Sequence, residues 1–415
     1  MKKVLLLLAL AIFGQIAIAQ NQQYQTALVK QKEAKGFIDR AKDLQAAGKA
    51  DKAAKNMGYA KQTLQQAKDA IDKAAANEQT KNLAKTWHCY AVIYFEIGEY
   101  PEFKDMAEDP YEKAIEAFVK VTELDKEYYR MNMAEIVGYI DVISNTYFDA
   151  GNANIEEKKF EAAYDNFKKA YDIKARMGLK DNNAMLSAAL CAMYAQKYDK
   201  SIEFFNALLE NGEETSQVYQ GLIVSYRGTE NYDKMLETIA TAREKYPEDE
   251  GIINEMINSY ITIHREDEII DQIEEMAAKN AEKPVYCYIL GTIYGNSESK
   301  LYDVDKALAN YDKVIAVDPN YVNAYINAGN VLIDKAQAKY FEAENLDMKD
   351  YGNNMNAYFA ASDKIKDEAK AYDQRAMPYI ERTHELLPDD PAVIQVLKGI
   401  YVRLNLNDKA AELEK

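Results

Sequence analysis

Histidine, cysteine, tryptophan, proline and glycine are all scarce in this chain. Its 415 residues include 3 histidines, 3 cysteines, 1 tryptophan, 8 prolines and 17 glycines. So little proline and glycine argues against many short strands joined by tight turns and favours long helices. Cys89, Cys191 and Cys287 are odd in number, lie about a hundred residues apart and form no C-x-x-C, which excludes a disulfide framework or a zinc ribbon. Each sits in a helical apolar pattern and reads as a buried thiol. The histidines give no metal motif. His384-Glu385-Leu386-Leu387-Pro388 begins like the zinc-protease H-E-x-x-H, but Pro388 stands where the second ligand must be. There is no G-x-S-x-G and no P-loop. No catalytic residue, metal or cofactor is therefore assigned, and the chain reads as non-enzymatic. An enzyme of unrecognised type is kept as an alternative.

Positive charge is also short. The formal net charge is −17, and an acidic surface repels phosphate backbones, so nucleic acid is not an expected partner. The imbalance is uneven: residues 20–85 carry 13 Lys/Arg against 7 Asp/Glu. Long apolar runs are missing except at the start, where Lys2 and Lys3 precede the apolar run Val4–Phe13 and Ala17-Ile18-Ala19 ends before Gln20. That is the pattern of a secretory signal peptide over residues 1–19. An apolar run of about ten residues is too short to span a bilayer, which needs about twenty. The expectation is an exported protein, periplasmic or extracellular, without membrane insertion.

Tyrosine, by contrast, is abundant, with 32 copies. Tyr219, Leu222, Ile223 and Tyr226 share one helical face. A turn at Gly228–Asn231 follows, then Tyr232, Met235, Ile239 and Ala242, and Pro247 stops the second helix. The frame recurs one period later at Ile253, Met256, Ile257, Tyr260, Ile269, Ile273 and Met276, and one period earlier at Met185, Ala188, Ala189, Ala192, Tyr198, Ser201, Phe205 and Leu208. Looser copies begin at Trp87, Tyr147, Cys287, Tyr325 and Ile394.

This pattern resembles the tetratricopeptide repeat (TPR) family, whose unit is a helix–turn–helix of about 34 residues with the pattern W-x2-L-G-x2-Y … A-x3-F … P. The resemblance covers residues 81–415 in about eight units. It implies an all-α fold, a right-handed α-solenoid of stacked helix pairs, in which the aromatic stripe is core. Residues 20–80, rich in Ala, Lys and Gln, read as an N-terminal helical pair or cap turning at Gly48-Lys49. A helical insertion near 335–371 interrupts the seventh unit; lengthened helices that project from the stack are expected there.

In the family the first helices of the units line a concave groove. Carried over, the inward positions include Asn254, Asn258, Tyr288, Asn323 and Asn330, an amide-rich set with almost no lysine. The family's carboxylate-binding lysines are not visible. Amides can donate to and accept from an extended backbone, so a peptide or protein partner is expected, held in this groove or on the 335–371 insertion. The function the resemblance implies is a non-catalytic scaffold or assembly factor of the cell envelope. The alternative is a carbohydrate-binding or nutrient-uptake accessory component, although the only tryptophan, Trp87, falls at a core position.

Overall fold

Three side chains spaced by one repeat start the first helices of three successive pairs. Asp181 accepts from the Ala184 N–H at 2.9 Å, Thr215 from Val218 at 3.4 Å and Asp249 from Ile252 at 3.0 Å. Each satisfies a backbone donor that a helix start leaves free. The computed structural model describes residues 2–352 and 354–413, with side chains from residue 22; residues 1–19, expected to be a signal peptide, lie outside the residues whose side chains are described. No strand occurs among the described residues.

The chain forms two compact units, one ending at Tyr246 and the other starting at Pro247. In the first, α1 (Lys2–Ala46) and α2 (Ala50–Ala75) form a hairpin. It turns at Gly48, whose φ of +71° favours glycine. Four helix pairs follow: α3 (Ala84–Glu99) with α4 (Pro110–Leu124), α5 (Lys126–Glu156) with α6 (Phe160–Arg176), α7 (Asn182–Tyr194) with α8 (Tyr198–Glu210), and α9 (Ser216–Gly228) with α10 (Tyr232–Lys245). A 3-10 turn, Pro101–Met106, separates α3 from α4. The second unit holds α11 (Glu250–Thr262) and α12 (Ile270–Lys279), α13 (Pro284–Gly295) and α14 (Val304–Val317), α15 (Val322–Glu344) and α16 (Met355–Leu386), and α17 (Pro391–Arg403) and α18 (Asn407–Glu412).

The aromatic stripe is core, as the repeat pattern requires. In α9, Val218, Tyr219, Leu222 and Ile223 are buried; in α10, Met235, Ile239 and Ala242 are. Burying each large side chain stabilises by about 1.5–3 kcal/mol. Glycines on the first helices admit rings from second helices. A Cβ on Gly151 would stand 2.8 Å from the Phe167 ring, one on Gly291 2.7 Å from Tyr311, and one on Gly221 2.1 Å from Phe205. Gly221 meets α8 of the preceding pair, so it joins successive repeats.

The turn inside five of the pairs uses a different device. Lys158, Gln196, Glu230, His264 and Asn405 all have φ between 54° and 59°. They end α5, α7, α9, α11 and α17, and the next N–H bonds back five residues, as Lys197 does to the Ala192 carbonyl at 2.8 Å. His264 is thus a turn residue. The three cysteines are buried in α3, α7 and α13 without disulfides. Burial pushes the Cys89 thiol up to about 12 and the Cys191 thiol up to about 11.

The N-terminal hairpin is tied to α3 by polar contacts within an alanine-rich seam. The Tyr94 hydroxyl donates to Asp72 at 2.9 Å. Buried Glu96 accepts from the Gln31 amide at 2.6 Å, while its second oxygen has no partner. Burial raises the Glu96 carboxyl to about 7, opposed by the Gln31 bond and the field of Lys35.

The glycine contacts set the outcome of two substitutions. Gly221→Ala must displace Phe205 and should cost about 1–3 kcal/mol in chemical denaturation. Gly138→Ala, mid-helix in α5 with nothing within 4 Å of its Cβ, should instead stabilise by about 0.5–1 kcal/mol. For Glu96, the folded carboxyl holds its proton to higher pH than the unfolded one. The folded state therefore binds more protons, and stability falls as pH rises from the unfolded value near 4.5 to about 7. Glu96→Gln should flatten that fall and gain on the order of 3 kcal/mol at pH 8. Equal slopes in both proteins would rule out this carboxyl as the source.

Candidate binding face

The residues expected to face a ligand all lie in the second unit, on first helices. Asn254 and Asn258 sit one turn apart on α11 and are exposed. Ile253, Met256 and Ile257 point the other way, into the core. Asn323 and Asn330 are exposed on α15, two turns apart, beside buried Ala324, Ala328 and Leu332. The side chains of these four asparagines form no hydrogen bond among the described residues, so each offers a free donor and acceptor.

Tyr288, on α13, is in a different position. It is half-buried, and its hydroxyl accepts from the Asn327 amide of α15 at 2.9 Å. Its ring centroid lies 5.3 Å from Tyr321 and 6.0 Å from Tyr311. Tyr311 is buried and reaches the Thr292 hydroxyl at 3.4 Å. Tyr288 therefore belongs to an aromatic cluster joining α13, α14 and α15, with one edge toward solvent. Sequence reasoning missed Asn327, Tyr321 and Tyr311 as its partners. Their only signal was the aromatic content of two adjacent repeats, because contacts between repeats do not show in the pattern of one. The structure groups Tyr288 with the α15 face; the α11 asparagines make no hydrogen bond to that group among the described residues.

The segment 335–371 forms the distal parts of two unbroken helices. α15 is 23 residues long and α16 is 32, against 12 and 14 for α13 and α14. The second helix of this pair starts at Met355 and runs unbroken to Leu386. Phe341, Met355 and Phe359 are exposed near the hairpin's end, where Tyr358 packs edge-on to Tyr351 and Phe359. Asp373 of α16, fully buried, accepts from Tyr340, next to Phe341, at 3.1 Å and from both the Nε and Nη2 of Arg403, at 2.8 and 2.7 Å.

No family model matches the chain and no curated protein matches it. Solved structures do match its build. Yeast Tom70 is 14% identical over 92% of this chain and 91% of that one, with a TM-score of 0.39. A thermophilic TPR protein of Thermus thermophilus, TTC0263, is 16% identical over 46% of this chain and 98% of that one, TM-score 0.34. A tetratricopeptide repeat protein from Parabacteroides merdae is 13% identical over 72% and 99%, TM-score 0.33. Its structural neighbours are tetratricopeptide repeat proteins. At these identities and TM-scores nothing about partner or site transfers from them.

Within these repeats, His88, His264 and His384 stand on α3, after α11 and near the end of α16. Among the described residues no group of three or more His, Cys, Asp and Glu side chains could hold a metal. Trp87 donates from its indole to the Lys81 carbonyl at 2.6 Å, and the Lys120 ammonium lies 3.6 Å from its ring centroid. Its face is occupied by that cation, which leaves it poorly placed to stack on a sugar.

Replacing Asn254, Asn258 and Asn330 together with alanine should change stability by no more than about 0.5 kcal/mol per site, because the side chains are solvated. Tyr288→Phe should cost about 0.5–1.5 kcal/mol through the lost Asn327 bond. A triple variant that melts early would show these amides to be structural.

Proposed function

We propose that this chain is a protein-interaction scaffold or assembly factor, exported to the cell envelope, that receives an extended peptide segment on the first helices of its second unit. One observation carries the reading: Asn254, Asn258, Asn323 and Asn330 project outward from structural helices with no internal partner. An amide both donates and accepts, as a backbone does. Four of them, two on α11 and two on α15, suit a segment read mainly through its main chain, with modest side-chain selectivity. Export is supported by Lys2, Lys3, the Val4–Phe13 run and Ala17-Ile18-Ala19, and among the described residues no helix is long and apolar enough to cross a membrane. The long hairpin with exposed Phe341, Met355 and Phe359 supports a second reading, in which contact is made through its end.

Cross-linking from native envelopes, followed by mass spectrometry, tests both parts. The mature chain should begin at Gln20. The Asn254/Asn258/Asn330 triple alanine variant should fold normally and lose at least ten-fold in partner recovery. Full recovery would remove the asparagine face and leave the hairpin end, where Phe341→Ser/Phe359→Ser would then abolish capture. An intact Met1 in a soluble cytoplasmic fraction would overturn the envelope assignment.

A further inference from the structure

A cavity of about 330 Å³ opens in the first unit between α1, α3 and α5. It is separate from the asparagine face and has a different chemistry. Lys32 and Lys35 reach it from α1 and Lys85 from α3, against one lining carboxylate, Glu135 of α5. None of the three lysines forms an ion pair among the described residues; Lys85 lies 5.1 Å from the Tyr24 ring centroid. Three lysines against one carboxylate leave the lining net positive, which suits an anion.

His88 gives the second, independent observation. It lines the cavity, is 7% exposed, and its Nε2 has no hydrogen-bond partner. Its Nδ1 meets the Tyr128 hydroxyl at 3.1 Å. Burial holds the imidazole below its usual range, with the carboxylate of Glu135 opposing, so the ring is neutral at pH 7. Where the Tyr128 hydroxyl donates to Nδ1, the ring proton sits on Nε2; in the other tautomer Nε2 is an unpaired acceptor. In either form a buried ring nitrogen has no partner, which is costly, and a bound carboxylate selects the Nε2–H form. The Glu135 carboxylate is 3.9 Å away, too far for a hydrogen bond. Asn132 adds a polar group: its amide donates to the Tyr128 carbonyl at 2.7 Å, which leaves its own oxygen unused. Leu28, Val92 and Tyr139 give the wall an apolar and aromatic part. Phosphate or sulfate alone would make no use of that surface.

We propose that this cavity binds a small organic acid, its carboxylate held by Lys32, Lys35, Lys85 and the Nε2–H of His88, and its apolar body resting on Leu28 and Val92. Glu135 swings aside on binding; it is the half-exposed competitor for the same donors. The volume is at the lower end of small-ligand sites, about 300–1,000 Å³, which limits the ligand to one ring or a short chain.

Calorimetry on the full mature chain tests this with four probes: phenylacetate, phenylacetamide, inorganic phosphate and N-acetyl-Ala-Ala-Phe. Phenylacetate should bind saturably, and phenylacetamide and phosphate at least ten-fold more weakly. Lys32→Gln/Lys85→Gln, both at the surface, should melt as the parent does and bind phenylacetate at least ten-fold more weakly. Glu135→Gln should bind it several-fold more tightly, since a like charge is removed. Absence of phenylacetate binding, or equal binding of the amide, would overturn the proposal. So would equal binding of phosphate, which would leave only an unselective cationic patch. Tighter binding of the peptide would replace the small acid with a chain end.

Discussion

The repeat stack depends on one steric exchange: a first helix gives up a side chain so that a ring or branched chain from a second helix can enter. Gly151 receives Phe167, Gly221 receives Phe205, Gly291 receives Tyr311 and Gly329 receives Ile380, each at a separation no Cβ could tolerate. The exchange costs helix propensity, about 1 kcal/mol per glycine. It returns a fully buried large side chain: Phe167, Phe205 and Tyr311 are all 1% exposed or less. Because some of these contacts lie within a pair and others between pairs, they also transmit stability from one repeat to the next. A pair on its own could not offset the ordering cost of its backbone, roughly 1–2 kcal/mol per residue.

Spending glycine on packing has a consequence at the turns. A helix that ends in a left-handed residue ordinarily uses glycine there. Here five such positions are Lys158, Gln196, Glu230, His264 and Asn405. Each stores backbone strain of about 1–2 kcal/mol, and the bond back to the preceding helix holds it in place. One of the few histidines is accounted for in this way. The two preceding repeats carry Gln196 and Glu230 at this turn, so the position selects backbone shape and carries no shared side-chain chemistry.

The all-α build and the repeat frame were legible because helical periodicity is local. Tyr219, Leu222 and Ile223 show their buried face within two turns of sequence. Asn254, Asn258, Asn323 and Asn330 were placed by the family resemblance, and all four are exposed on first helices. Tyr288, placed in the same way, is half-buried, and its hydroxyl is engaged by Asn327, 39 residues on in the next repeat. The 34-residue period does not predict such a pairing, because the connection between α13 and α14, residues 296–303, is longer than the turn 229–231 between α9 and α10. The cavity beside His88 was illegible for the same reason. Its lysines come from α1 and α3, its tyrosines from α1 and α5, and only the docking of the N-terminal hairpin brings them together.

The lengthened pair shows how the fold handles a departure from its own rule. Beyond the neighbouring helices α15 and α16 have no repeat to stack on, so their outer parts must hold each other. They do so with small residues: Ala336, Ala343, Ser362 and Ala369 are buried along the seam. Small seams bring helices close but specify rotation weakly, and Pro378 removes a backbone donor from α16. Asp373 supplies what the seam lacks. Its carboxylate takes one bond from α15 and two from α17, so α16 cannot turn without breaking bonds on both sides. A buried ion pair contributes little net stability compared with an apolar substitute, yet breaking one is expensive, about 3–5 kcal/mol. Its contribution here is therefore register. It fixes the direction in which Phe341, Met355 and Phe359 leave the stack, and it couples that direction to Arg403 in the last repeat.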